Sequence, residues 1–274
     1  EVETGKILAL ASYPSPDPNL LTGRLKLVEA QRLESDPLHP LLDKALRESY
    51  YPGSTFKVVP ALAALEERLI NPDEKVPCYG RYELGRHVFH CMKSHGPMNL
   101  HDAIVQSCNV YFYRLAEKVG LERMARMAQQ FGFGQPSGVG LGETAGFVPN
   151  LDYYKKHGGF HGGDALNTAL GQGAVRVTVL QLALAYAALG NGGRMYQPLL
   201  VERIEKPGGE IVHENQPSLR SVLPVSRDSL ERMRQALVDV VSDIKGTANT
   251  ASIEGIDVAG KSGTAQVRKN RKGE

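Results

Sequence analysis

The chain has no tryptophan, and only three of its 274 residues are cysteine. An odd cysteine count excludes a fully paired set of intrachain disulfides. No apolar run approaches the ~18 residues that a membrane-spanning helix needs. No secretory signal peptide opens the chain either. It begins in mid-strand with EVETGKILALASYP, so further sequence is expected upstream of Glu1. Neither sign of charge is in excess, since 32 Lys and Arg face 30 Asp and Glu for a net charge of +2. That balance excludes the basic footprint of a nucleic-acid binder and a polybasic membrane anchor. Internal repeats and low-complexity tracts are also missing. What remains is an ordinary globular composition, 42% hydrophobic and 23% charged, long enough for one large domain or two small ones.

The organisation along the chain is mixed. Residues 6–12 read as a short strand, stopped by the prolines of YPSPDPN. LKLVEAQRLES has a helical pattern, and residues 54–68 predict a helix with Leu62, Leu65 and Leu69 on one stripe. Residues 71–98 are polar and read as loop with short strands. Helices return over 101–119 and 121–131. GFGQPSGVGLGETAGFVPN reads as a glycine-rich loop; no Gly-Lys-Ser/Thr follows and no strand leads in, which excludes a phosphate loop. TVLQLALAYAAL, residues 178–189, is apolar almost all round and predicts a buried central helix. Residues 198–205 read as a strand, PGGE as a hairpin turn, and Ser226 as the cap of an amphipathic helix running to residue 244. IDVAGKSGTAQV, residues 256–267, alternates as a strand does.

Chemistry enters at YYPGSTFKVVPALAALEE, where Ser54 precedes Lys57 by three residues. On a helical turn the two share a face. Roughly one such pair is expected by chance in a chain of this length, and a second is present, Ser242 with Lys245. The second pair closes a helix, where the dipole opposes developing negative charge. Ser54 opens one, among unsatisfied backbone N–H groups that can stabilise an oxyanion. Lys57, between Phe56 and Val58, is placed to lose its water and serve as a neutral base. A helix N-cap is the plain alternative for Ser54, and likewise for Ser107 in QSCNVYFYRLAE. That stretch also sets Asn109 two residues on. VAGKSGTAQV places Lys261, Ser262, Gly263 and Thr264 in the expected strand, where glycine permits close approach of an extended anionic peptide. Three motifs in this order, Ser-x-x-Lys, Ser-x-Asn and Lys-Ser-Gly, identify Ser54 as a nucleophile.

Those motifs, with SCNVYFYRLAEKVG and ALGQGAVRVTVLQLALAYAALGNGG, resemble the transpeptidase domain of class B penicillin-binding proteins along almost the whole chain. SDPLHPLLDKAL and the insert from Cys78 to Gly96 are most similar to the elongation-type members. The resemblance implies one domain over 1–274 with a cysteine-bearing insert at about 71–100. It implies an α+β fold of the penicillin-binding and serine β-lactamase type, a central antiparallel sheet flanked by helices. In that family further strands and a helix follow the third motif, and a pedestal and a single membrane anchor precede the domain, on the periplasmic face of the inner membrane. The implied activity is D,D-transpeptidation of peptidoglycan stem peptides through a Ser54 acyl-enzyme that β-lactams also form, with no cofactor for catalysis. Carried over by motif, Lys57 is the general base, buried and hydrogen-bonded to Ser54 and Ser107. Ser107 relays a proton and Asn109 binds the donor peptide. Lys261, Ser262 and Thr264 hold the terminal carboxylate, and the N–H groups of Ser54 and Thr264 form the oxyanion hole. The family usually has threonine where Ser262 stands; both keep the hydroxyl. Glycan polymerase and elongation scaffold proteins are the partners implied.

Two other readings use the same motifs. A class A β-lactamase needs a Glu-x-x-x-Asn loop, and Glu143 in GETAGFVPN lacks that spacing; a class D enzyme uses a tryptophan. A β-lactam sensor would acylate once without turnover, but such sensors carry no cysteine-bearing insert.

The cysteines follow the pattern C-x12-C-x3-H-x12-C through Cys78, Cys91, His95 and Cys108. One reading is a Cys78–Cys91 disulfide with Cys108 as a small buried apolar residue. The other is a closed structural zinc site of the Cys₃His type, with His87 and His90 as substitutes for His95. Some elongation-type relatives hold zinc in this insert, with carboxylates in place of part of the cysteines, so the resemblance leaves both readings open.

Overall fold

Helices carry the core. The computed structural model describes residues 1–265, and the first α-helix in it, α1 (Leu27–Ser35), buries none of its side chains. The catalytically suggestive stretch forms a 3₁₀ turn, Gly53–Lys57, that runs directly into α2 (Val58–Glu66). VVPALAA is buried without interruption from Val58 to Ala64, so α2 is the central helix of the molecule. Pro60 is tolerated because it lies in the first turn of α2, where an N–H has no partner to lose.

The insert is built from two nested antiparallel pairs. In chain order its strands are β1 (Val76–Cys78), β2 (Arg81–Leu84), β3 (His87–His90) and β4 (Gly96–Met98). β1 pairs with β4, setting Cys78 opposite Gly96, and β2 pairs with β3, setting Arg81 opposite His90. α3 (Leu100–Val105) and α4 (Asn109–Val119) follow, then α5 (Leu121–Gln130), α6 (Leu151–Lys156), α7 (Gly162–Ala169) and α8 (Val179–Gly190). The last third holds β5 (Arg194–Tyr196), β6 (Arg203–Glu205), β7 (Ile211–Glu214), β8 (Leu219–Val222) and α9 (Arg227–Ser242). Ser226 caps α9 by accepting the Ser229 N–H, and PGGE turns between β6 and β7 as expected, closed by Lys206 N–H to the Glu210 carbonyl at 2.9 Å.

Side chains from α2, α4, α5, α7, α8 and α9 merge into one core, with Phe56, Phe112, Phe131, Phe133, Leu166 and Met233 at its centre. Each such side chain stabilises the fold by ~1.5–3 kcal/mol through burial. Gln181 is a buried polar exception with its partners in place. Its carbonyl accepts the Thr178 N–H at 2.9 Å, completing a capping box, and its amide donates to the carbonyls of Gln135 and Ala145 at 2.7 and 2.8 Å. One side chain thereby both starts α8 and pins the glycine-rich loop.

Five expectations are corrected. The helix expected over 101–119 is broken at residues 106–108, where Ser107 takes a positive φ of 55°. The α8 helix is not enclosed: Val179 and Ala183 are exposed, and with Leu184 they line a cavity of about 320 Å³ against Ile7 and Leu8. Residues 6–12 make only one parallel bridge, Lys6 to Leu199, and of residues 198–205 only β6 is strand. Among the described residues the strands pair two by two, and residues 257–265, expected as a strand, have no ladder partner. A strand is defined by its neighbour, and the pattern of 256–267 names none; residues 266 and 267 lie outside the described residues.

Candidate active site

A 3₁₀ turn eclipses residues three apart, so the Gly53–Lys57 turn stacks Lys57 over Ser54 more closely than an α-helix would. The turn is held from below by backbone. Gly53 N–H donates to the Gly171 carbonyl at 2.9 Å, and the Tyr186 hydroxyl donates to the Thr55 carbonyl at 2.9 Å. The two glycines are required there. A Cβ on Gly171 would stand 2.3 Å from the Gly53 carbonyl oxygen, and one on Gly53 would stand 2.4 Å from the Thr264 carbonyl oxygen. Gly263 meets the same turn, its Cβ position 3.1 Å from Thr55. The third motif therefore lies against the turn that bears Ser54, backbone to backbone.

Lys57 is completely buried. Its ammonium donates to the Ser107 carbonyl at 2.9 Å, the Ser107 hydroxyl at 3.1 Å and Asn109 Oδ1 at 2.8 Å, and it stands 5.3 Å from the centre of the Phe112 ring. Burial, reinforced by the positive charge of Lys261, lowers its pKa from 10.5 to about 7. The expected bond from Lys57 to Ser54 is absent among the described residues. Nζ is turned instead toward both polar groups of Ser107, which the left-handed backbone at that residue aims at it. Lys261 is also depressed, to about 8, by burial alone. Ser262 Oγ lies 3.4 Å from the Lys261 ammonium.

The rejected pair behaves as a helix end. Ser242 is exposed and donates to the Val238 carbonyl at 3.2 Å, with Lys245 exposed beyond it. Glu143 is engaged elsewhere: its carboxylate accepts the N–H groups of Ser137 and Gly138 at 2.8 and 2.9 Å.

The nested hairpins of the insert bring Cys78, Cys91 and His95 together. The turn between β3 and β4 is fastened by Ser94 Oγ to the Cys78 carbonyl at 3.0 Å. Cys78 Sγ and Cys91 Sγ each lie 3.5 Å from His95 Nδ1. With buried Cys108, the four ligand atoms fall within 4.8 Å of one another. A tetrahedral zinc with Zn–S near ~2.3 Å and Zn–N near ~2.0 Å separates sulfur from nitrogen by roughly 3.5 Å, so this donor set fits the metal. All three thiols are free of disulfides. A hydrogen bond with Cys108 draws Cys91 well below the ordinary thiol range, and Cys91 Sγ accepts the Asn109 N–H at 3.1 Å. His87 and His90 are exposed and outside this cluster. They border instead a groove of about 870 Å³ between the β2–β3 hairpin and the start of α7, which opens on Asn109.

Gly171 and Tyr186 were not legible as site residues. Gly171 lies in a stretch already singled out, LGQGAV, whereas Tyr186 carries no sequence signal beyond an apolar helix.

The model of the penicillin binding protein transpeptidase domain family matches residues 1–274. A peptidoglycan D,D-transpeptidase, MrdA, of Acinetobacter baumannii is 33% identical over 272 residues; the match covers 97% of this chain and 40% of that protein. The chain thus spans less than half the length of this relative. Among solved structures, the complex of penicillin-binding protein PBP2 with MreC from Helicobacter pylori matches with a TM-score of 0.87 at 30% identity, over 97% of this chain and 49% of that one. The ceftriaxone acyl-enzyme of penicillin-binding protein A from M. tuberculosis matches with a TM-score of 0.86 at 29% identity, over 98% of this chain and 60% of that one. The mixed helix-and-strand fold, the ordered motifs and the match from end to end agree: the chain belongs to the penicillin-binding protein transpeptidase family.

Proposed function

We propose that this chain is the acyl-transfer domain of a peptidoglycan D,D-transpeptidase of the elongation type. The observation that carries the reading is Lys57, fully buried and bonded to Ser107 and Asn109, three residues after Ser54 on a turn packed against the Lys-Ser-Gly backbone. In the proposed reaction neutral Lys57 takes the Ser54 proton as Oγ attacks the carbonyl of the penultimate D-alanine. The N–H groups of Ser54 and Thr264 receive the oxyanion. As the C–N bond breaks, the departing D-alanine amine gains a proton through Ser107. The acyl group stays on Ser54 as an ester until the amine of a second stem peptide displaces it. Asn109 aligns the donor backbone, and Lys261, Ser262 and Thr264 hold its terminal carboxylate. The engagement of Glu143 supports acyl transfer over hydrolysis, because it leaves that carboxylate no role as a deacylating base.

Cys78, Cys91, His95 and Cys108 would hold a structural zinc, which supplies cross-linking and no reactive group. Its value to the site lies in Cys108, inside the Ser107–Asn109 motif, and in Cys91, whose sulfur accepts the Asn109 N–H. Action on the periplasmic face of the membrane, and association with a scaffold protein and a glycan polymerase, extend to this chain from its family; the relative bound to MreC supports the scaffold.

A fluorescent penicillin tests the reading. Covalent labelling that Ser54→Ala abolishes, with the thermal midpoint within a few degrees of the parent, is the expected result, since neither the Gly53–Lys57 turn nor α2 has a side-chain cap bond to lose. Labelling that survives Ser54→Ala would overturn it. Turnover of a D-alanyl-D-alanine peptide, rather than a single stable adduct, separates the transpeptidase from a sensor.

A further inference from the structure

Between the second and third motifs runs a pair of hydroxyls, of which the mechanism above uses only Ser262. Ser262 Oγ and Thr247 Oγ1 lie 2.7 Å apart, a strong hydrogen bond, and Thr247 Oγ1 also reaches the Val105 carbonyl at a weaker 3.4 Å. Val105 ends α3, two residues before Ser107.

Thr247 does not hang from a free loop. Gly246 is folded onto the end of α9, where a Cβ would stand 2.4 Å from the Val240 carbonyl oxygen. Ala248 N–H donates to that carbonyl at 3.0 Å, and Asn249 Nδ2 donates to those of Val241 and Asp243 at 2.9 and 2.6 Å. The same helix receives the third motif, through Gly260 N–H to the Leu237 carbonyl at 2.9 Å. It is tied to α3 by His101 and Asp239 at 2.8 Å. Thr247 and Ser262 are therefore two side chains mounted on one support.

A hydroxyl has one proton to donate. Among the described residues the Ser262 proton is directed at Thr247, and the one acceptor for the Thr247 proton is the Val105 carbonyl at the longer 3.4 Å. An arriving carboxylate needs the Ser262 proton. Thr247 can release it by turning its own O–H onto Ser262 Oγ, exchanging a weak bond for a strong one; no proton changes oxygen.

We propose that Thr247 is a positioning residue for carboxylate recognition, holding the Ser262 hydroxyl and donating to it when the acyl donor's carboxylate binds. The inference rests on the acyl-transfer reading and adds to it a residue outside the three motifs. Benzylpenicillin and its methyl ester separate the two, measured as second-order acylation constants. Thr247→Val keeps the shape and removes the hydroxyl; acylation by the acid should fall by about tenfold while the ester changes by less than about twofold. Thr247→Ser should restore the acid-to-ester ratio. In a Ser262→Ala background, Thr247→Val should have no further effect, because the residue it acts through is gone. Equal losses for acid and ester, or an undiminished loss in the Ser262→Ala background, would overturn the proposal. Should Thr247→Val not fold, a Thr247→Ser variant with an altered ratio would overturn it equally. Failure of the parent protein to label at Ser54 would instead count against acyl transfer itself.

Discussion

Acylation of Ser54 should depend on pH through two lysines with opposite requirements. Lys57 must be neutral to accept the serine proton, and its pKa is lowered to about 7; Lys261 must be charged to hold a carboxylate, and its pKa is lowered to about 8. The product of the two fractions is bell-shaped and peaks near pH ~7.5, where about 60% of molecules hold both states. At pH ~5.5 only about 3% of Lys57 is neutral, so the rate should fall roughly twentyfold, and at pH ~9.5 the loss of Lys261 charge should lower it by about as much. An unburied lysine with its pKa at 10.5 would be neutral in about one molecule in a thousand at the optimum, so burial increases the reactive population by several hundredfold. Stopped-flow acylation by a chromogenic cephalosporin from pH 5 to 10 measures the profile. Lys57→Arg should be inert throughout, because guanidinium keeps its proton, whereas Lys261→Arg should remain active and lose the alkaline limb. Stability carries the same signature: the unfolded chain binds protons that these two lysines release on folding, so their contribution rises as pH increases from about 7 toward 10.5. A rate that climbs without a break to pH 10 would show that Lys57 titrates as a solvated lysine, and the proposed base would be lost. An alkaline limb that persists in Lys261→Arg would refute the assignment of the second lysine.

Protein purified without chelator or a histidine tag should contain about one zinc per chain, and Cys91→Ser should lower that occupancy and slow acylation; metal-free protein with a Cys78–Cys91 disulfide would contradict the site. Gly171→Ala and Gly173→Ala both place a side chain at positive φ, 65° and 72°, but only the first drives its Cβ into backbone, 2.3 Å from the Gly53 oxygen against 3.4 Å from the nearest atom at Gly173. The strain shared by both is on the order of 1 kcal/mol, so a melting point clearly lower for Gly171→Ala, with loss of labelling, is expected; equal shifts would mean that the contact with the serine turn is dispensable.

The three motifs could be read because their relations are local or ordered. Ser54 and Lys57 are three apart, and the second and third motifs announce themselves by sequence. Contacts between distant segments could not be read. No glycine or proline marks the break at Ser107. It is fixed by Lys57, which takes the Ser107 carbonyl, and by Cys91, which takes the Asn109 N–H. Tyr186 and Thr247 fall in the same class, since each acts on an element more than a dozen residues away. The even apolar coat of α8 hid a difference between its faces, because hydropathy records what a side chain prefers and not what is present to cover it. Strand alternation at 256–267 failed for a related reason: it specifies faces, and pairing needs a second chain segment.

If β-lactams acylate Ser54 as proposed, the backbone stack beneath it has a consequence for antibiotic pressure. Gly171 abuts Gly53, and Gly53 abuts Thr264, with no side chain between them to exchange. A population selected against β-lactams finds no gradual series of substitutions at these positions, since the smallest step already displaces backbone. Variation has more room in the groove beside Asn109, where His87, Val88 and His161 are exposed and outside the glycine stack. Inhibitors that draw their affinity from the backbone side would therefore offer resistance the fewest sites at which to start.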